Sequence, residues 1–197
     1  IQMRNIQSVC VYCASSSKVD AIYFEAAKQL GKLIARNNLR CIYGAGNQGL
    51  MGTIADSVLD AGGKVTGIIP RFMYEEGWHY ERLQDIEITN SMHERKARMA
   101  SLSDAVIALP GGCGTLEELL EIITWKQLGL YLNPIVILNT AGYYDPLLAL
   151  LEKAVEQNFM RTEHTRMWVI ATTPQDAIDA LYSAPDWNGS VRKFAAI

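Results

Sequence analysis

Short runs of continuous apolar residues alternate along the chain with longer stretches in which apolar residues recur every three or four positions. The first kind predicts buried strands at 8–13 (SVCVYC), 40–43, 64–69, 85–89, 105–109, 135–138 and 168–171. The second predicts helices over 23–37, 50–61, 92–101, 116–128, 146–158 and 175–182. In the first of these, Phe24, Ala27, Leu30, Leu33 and Ile34 share one face. Gly62-Gly63 stops the second helix, and Pro70 and Pro110 end strands. Strands that are apolar throughout, separated by amphipathic helices, imply a parallel sheet covered on both faces. The fold class expected is therefore α/β, a single-domain, doubly wound, Rossmann-like sheet over 1–197 with an irregular tail after about 185. The one long irregular stretch inside it, 71–84, is either a pocket wall or a surface loop. In such sheets ligands bind outside the carboxyl ends of the strands, so the residues just after each strand matter most.

Composition narrows the functional classes. A length of 197 residues with 49% apolar and 20% charged residues suits one domain with a full core. A net charge of −3 gives no reason to expect a nucleic-acid partner. No apolar stretch approaches the roughly 20 residues of a membrane span, and no signal-peptide pattern is present, so a soluble, cytoplasmic protein is expected. Cys10 and Cys13 form a C-x-x-C, but strand alternation sends them to opposite faces. With Cys41 and Cys113 they read as small buried residues in a reducing compartment rather than metal ligands.

Two glycine-rich loops carry the candidate chemistry. Gly44, Gly46 and Gly49 match G-x-G-x-x-G between a strand and a helix. The next strand ends Ile68-Ile69-Pro70-Arg71, without the acid that a dinucleotide ribose requires, so NAD is not expected. The loop is either a ligand contact or a tight turn that permits close helix–strand packing. Pro110-Gly111-Gly112-Cys113-Gly114-Thr115 is sharper. It follows the apolar run AVIAL and opens a helix with acids expected in its first turn. Three glycines there let backbone amides converge on an anion at a positive helix end, with the Thr115 hydroxyl as a further donor. No lysine follows the last glycine, so the loop is not a triphosphate P-loop. Glu117 and Glu118 add negative charge beside an anion site, which suggests that at least one has a chemical task, whereas Glu121 reads as a solvated surface acid. Upstream, Met92, Arg95, Lys96 and Met99 share one helical face, cations flanked by methionines, as at a half-buried pocket edge.

Gly111 to Glu118 (GGCGTLEE), preceded by Met92 to Lys96 (MHERK), resembles the "lonely guy" family of cytokinin riboside 5′-monophosphate phosphoribohydrolases, sometimes mislabelled lysine decarboxylases. The loop ending Gly49-Leu50-Met51-Gly52 and the pair Thr124-Trp125 extend the resemblance, which runs from about Ser8 to about Leu181. The chain departs from it at Ala45, where a third glycine is usual, and at Cys113, where Tyr or Val is common. The resemblance implies a homodimer of Rossmann-like subunits that hydrolyses the N-glycosidic bond of a purine nucleoside 5′-monophosphate. It implies that Arg95 and Glu118 are catalytic and that Lys96, Gly112, Cys113, Gly114, Thr115, Leu116, Glu117 and Thr124 contact substrate. Gly111 and Gly46 join the substrate loops, and an acid after the third strand, Glu75 or Glu76, completes the expected set.

The residues fit that chemistry on their own. Breaking an N-glycosidic bond passes through an oxocarbenium-like centre, which a carboxylate can stabilise while it orients or deprotonates water. Glu118 is the candidate, with Arg95 and Lys96 on the phosphate or a developing negative charge. No cofactor and no metal is expected. The alternative is a nucleotide-binding or carrier protein of the same fold without turnover.

Overall fold

The computed structural model describes residues 4–187 and residue 190. Seven strands form one sheet: β1 (Ser8–Tyr12), β2 (Arg40–Tyr43), β3 (Lys64–Pro70), β4 (Ile86–Thr89), β5 (Val106–Ala108), β6 (Ile135–Leu138) and β7 (Val169–Ala171). Their order is β4-β3-β2-β1-β5-β6-β7, and every neighbouring pair is parallel. The chain thus winds outward from β1 to β4, then returns to place β5 on the other side of β1. The direction reverses between β1 and β5, which is where a doubly wound sheet opens a ligand crevice.

The α-helices are α1 (Ala21–Arg36), α2 (Gly49–Asp60), α3 (Arg71–Glu75), α4 (Met92–Ser101), α5 (Cys113–Gln127), α6 (Asp145–Glu156) and α7 (Pro174–Ser183). One core joins α1, α2 and α7 to one face of the sheet through Leu30, Ile34, Ile54, Val58 and Leu181. A second joins α4 and α5 to the other face through Met99, Leu119, Ile122 and Ile123. The two cores explain why the strands are apolar on both sides. Cys10 belongs to the second core and Cys13 to the first, as strand alternation requires, and both thiols are free.

Differences from the sequence reading cluster at helix starts. Helix α5 begins at Cys113, three residues earlier than periodicity indicates, because Gly112 takes the extended N-cap conformation. Glu117 and Glu118 consequently sit in the second turn, and the first turn holds no acid. Within 71–84 the chain forms the one-turn helix α3 and an isolated bridge between His79 and Gly46. This segment is tied to the first glycine loop by the Tyr80 amide, which donates to the Ala45 carbonyl at 2.8 Å. No described helix is long and apolar enough to cross a membrane. Of the irregular tail, residues 188, 189 and 191–197 lie outside the described residues. Its start is held by Arg4, which donates to the Ala184 carbonyl at 2.6 Å and pairs with Asp186.

Candidate active site

A cavity of about 730 Å³ opens at the carboxyl ends of β1, β2, β3 and β5, at the topological reversal. Its size suits a nucleotide-sized ligand. One wall is the segment after β1, Cys13 to Ser16; another is the first glycine loop with Met51. Helix α4 contributes Met92, Arg95, Lys96 and Met99, the four residues predicted to share a face. Helix α5 contributes Gly112, Cys113, Gly114, Thr115, Glu117 and Glu118. Met73, Gly77 and Trp78 close the side formed by 71–84, which makes that stretch a pocket wall.

The start of α5 is held from behind. Leu109 donates its amide to the Tyr12 carbonyl at 2.8 Å, and the Ala14 amide donates to the Pro110 carbonyl at 3.2 Å. Tyr143 and Tyr144 donate their hydroxyls to the Gly111 and Leu109 carbonyls at 2.6 and 2.5 Å. The turn is therefore fixed on one side and open on the other. A Cβ at Gly111 would stand 2.1 Å from Thr115 Oγ1, so Gly111 serves close packing. A Cβ at Gly112 or Gly114 would meet nothing within 4 Å, so these two leave the cavity side clear. No side chain caps the helix. Gly112 to Thr115 line the cavity, and the first amides of a helix are unpaired within it and carry the positive end of its dipole, an arrangement that receives an anion.

Helix α4 starts on a side-chain cap, Ser91 Oγ accepting from the Glu94 amide at 3.1 Å. One turn on, Arg95 is buried. Its Nε donates to the Ile68 carbonyl at 3.0 Å and its Nη2 to the Gly44 carbonyl at 2.7 Å. Nη1 reaches the Met92 sulfur at 3.9 Å. Burial lowers the Arg95 pKa while the field of Glu118 raises it, with no direct ion pair between the two. Lys96, also buried, donates to Glu117 Oε1 at 2.8 Å and to Glu121 Oε2 at 3.1 Å. Burial works against the Lys96 charge, but the bonds to the two carboxylates outweigh it and hold the pKa above its ordinary value. Glu121 is thus the partner of Lys96 and not a solvated surface acid.

Glu118 stands apart. Glu117 is held below the usual carboxylate range by its bond to Lys96. Glu118 accepts no side-chain hydrogen bond from any described residue, and burial raises its pKa from 4.5 to about 7 against the opposing pull of Arg95 and Lys96. A carboxyl poised near neutrality in a crevice has the character of a reacting group.

Arg95, Glu118, Lys96, Gly112, Cys113, Gly114, Thr115, Glu117 and Gly46 all line this cavity. Gly111, Leu116, Thr124 and Glu76 do not. Thr124 lies on an exposed stripe of α5, six residues and about 9 Å along the axis from Glu118. Glu76 is exposed at the end of α3, as is Glu75. Sequence reading passed over Ser15 and Ser16, which line the cavity directly after β1. Their signal was positional, since they follow the strand at which the winding reverses. It also passed over Met73 and Trp78, whose segment has no period to read.

A family model described as possible lysine decarboxylase matches residues 51–181. A rice protein, probable cytokinin riboside 5′-monophosphate phosphoribohydrolase from Oryza sativa subsp. japonica, is 45% identical over 88% of this chain and 71% of its own length. An Arabidopsis thaliana protein named cytokinin riboside 5′-monophosphate phosphoribohydrolase is 41% identical over 92% of this chain and 84% of its own. Among solved structures, the molybdenum cofactor carrier protein of Chlamydomonas reinhardtii superposes with a TM-score of 0.68 at 18% identity, covering 91% of this chain and 98% of that one. The molybdenum cofactor binding protein of Rippkaea orientalis gives 0.69 at 23%, covering 91% and 97%. At such identities these two establish a shared fold.

Proposed function

The chain belongs to the cytokinin riboside 5′-monophosphate phosphoribohydrolase family, and from that membership we propose that it hydrolyses the N-glycosidic bond of a purine nucleoside 5′-monophosphate, releasing free base and ribose 5-phosphate. The observation that carries the reading is Glu118: the one cavity-lining carboxylate among the described residues that no cation engages directly, held near neutrality beside a buried arginine.

In this scheme the 5′-phosphate rests on the first amides of α5 at Gly112 to Thr115, with Lys96 adding local positive charge. Lys96 spends two of its three donors on Glu117 and Glu121, so its part is chiefly to neutralise those acids beside the anion. Glu118, as carboxylate, faces the ribose, stabilises the oxocarbenium-like centre and accepts a proton from the attacking water. Arg95, fixed by two backbone carbonyls, keeps its remaining donors for the substrate. The apolar side of the cavity, with Met73, Trp78 and Met92, receives the base. The proton balance closes: water gives hydroxyl to the anomeric carbon, its proton passes to Glu118, and that proton is returned to the departing base, which leaves Glu118 as carboxylate again.

Decarboxylation, which the family model's description suggests, would call for pyridoxal phosphate on a lysine. Lys96 is the one lysine lining the cavity, and its ammonium is bonded to two carboxylates. The residues do not fit that group. A carrier without turnover would have no use for an uncommitted carboxylate beside its ligand's phosphate. The four cysteines are free among the described residues, three of them buried as expected and Cys113 exposed at the cavity mouth because it opens α5, and free thiols are compatible with the cytoplasm.

The test is incubation of pure protein with a panel of nucleoside 5′-monophosphates, the matching nucleosides and N6-substituted analogues, with released base measured by chromatography. Turnover of AMP-type nucleotides well above adenosine is expected, because the helix end is built for the phosphate. Equal turnover of the nucleosides and their 5′-monophosphates, or no base released from any nucleotide of the panel, overturns the reading.

A further inference from the structure

Gly44 occupies the first position of the glycine loop after β2, where a phosphate contact or a tight turn would each account for a glycine. The structure shows a third use for it. Its backbone is not in the left-handed region, so conformational freedom is not the reason for it. A Cβ built on Gly44 would lie 2.0 Å from Nη2 of Arg95 and 3.1 Å from its Cζ. The same residue's carbonyl accepts the Nη2 hydrogen bond at 2.7 Å. Gly44 therefore both anchors the guanidinium and vacates the space that it fills.

We infer that Gly44 is a positioning residue for the reaction: its missing side chain lets the buried Arg95 guanidinium lie flat against the loop, between the Gly44 and Ile68 carbonyls, with its remaining donors turned to the substrate. The inference rests on the phosphoribohydrolase reading for its kinetic consequence, and on geometry alone for the contact. The clash falls on the ends of flexible side chains, Arg95 and the Met51 methyl at 2.8 Å, and not on backbone. An alanine is thus accommodated by moving Arg95, which spares the fold and misplaces the charge. Guanidinium placement is unforgiving, because a shift of about 1 Å in a positioned group can cost on the order of 10² in rate. A displaced Arg95 would also release Glu118 from the positive field that now lowers its pKa. The acid limb of the pH–rate profile should then move to higher pH, an effect that loosening of the loop alone would not produce.

The experiment is a double-mutant cycle on the full chain with a nucleoside 5′-monophosphate as substrate, comparing Gly44→Ala, Arg95→Ala and the double variant. Gly44→Ala should lower kcat at least tenfold and shift the acid limb upward, and adding it to Arg95→Ala should cost nothing more. Multiplicative losses, or an unmoved acid limb, overturn the inference. Melting temperatures of the same four proteins provide a readout independent of turnover. Gly44→Ala should lower the melting temperature more in the wild-type background than in Arg95→Ala, where only the Met51 methyl still stands in the way. Equal drops in both backgrounds also overturn the inference. If wild-type protein cleaves no nucleotide, the proposed reaction fails, and the melting cycle still decides whether Gly44 positions Arg95.

Discussion

At Glu118 the desolvation that lifts the carboxyl to about 7 also makes its charge costly to hold. Its folded-state pKa lies above the ordinary 4.5, so between those values the folded chain binds more protons than the unfolded one, and stability falls as pH rises through that window. Glu118→Gln keeps the shape and removes the charge. At pH 8 it should raise the melting temperature, with the gain fading toward pH 5. Turnover should fall by about 10²–10³, the usual effect of deleting a charge that acts in the transition state, with KM little changed. A helix-end charge of purely structural use would give the reverse, a lower melting temperature with near-normal turnover, and calorimetry beside steady-state kinetics separates the two. The wild-type enzyme itself should lose activity below about pH 7 as Glu118 takes up its proton. A rate that stays flat between pH 8 and pH 5.5 would show that the carboxylate form is not required.

Among the elements, α5 shows how far the sequence could be read. Its lower turns are plain from period, since Leu119, Ile122 and Ile123 recur at helical spacing and are buried. Its start was misplaced because Cys113-Gly114-Thr115 has no apolar period and reads as loop. That shift moved Glu117 and Glu118 into the second turn, where they no longer answer the dipole and need other partners. Glu117 finds Lys96; Glu118 finds none. The facing of Met92, Arg95, Lys96 and Met99 was legible because spacing on one helix determines it. The Lys96–Glu121 bond was not, because it joins two helices 25 positions apart. Nor was the wall from Met73 to Trp78, whose place follows from the bridge to Gly46. The α5 start yields its own prediction. Gly114 lies inside the helix with open space at its Cβ, so Gly114→Ala improves helix propensity by up to about 1 kcal/mol. That methyl would project toward the site proposed for the phosphate. KM for the nucleotide should therefore rise on the order of tenfold, about 1.4 kcal/mol, while the melting temperature holds or increases. Unchanged KM would mean that the phosphate does not rest there.

At the scale of the whole molecule, helices α5 and α6 leave apolar residues uncovered. Helix α6 packs Leu147 and Leu148 against the second core without fully burying them and leaves Leu150 62% exposed. On α5, Leu120 and Leu128 stay 39% and 44% exposed, and Leu130 just beyond is 64% exposed. Leu120, Thr124 and Leu128 are four apart and form a stripe on the face of α5 turned away from the sheet. Apolar residues gathered in this way belong against another surface. The family resemblance names Thr124 as a substrate contact, yet the chain's own cavity excludes it. Both statements hold if the stripe of one subunit borders the cavity of a second, as a twofold pairing of like surfaces permits. The prediction is a homodimer in which each subunit borders its partner's site. Light scattering at micromolar concentration should give twice the mass of the 21.9 kDa chain. Leu120→Glu combined with Leu128→Glu should give monomers, since two buried carboxylates on each side would oppose association. Their activity should fall although no residue of the cavity has changed, and wild-type mass for the double variant, or a monomeric wild type, would exclude this surface as the interface.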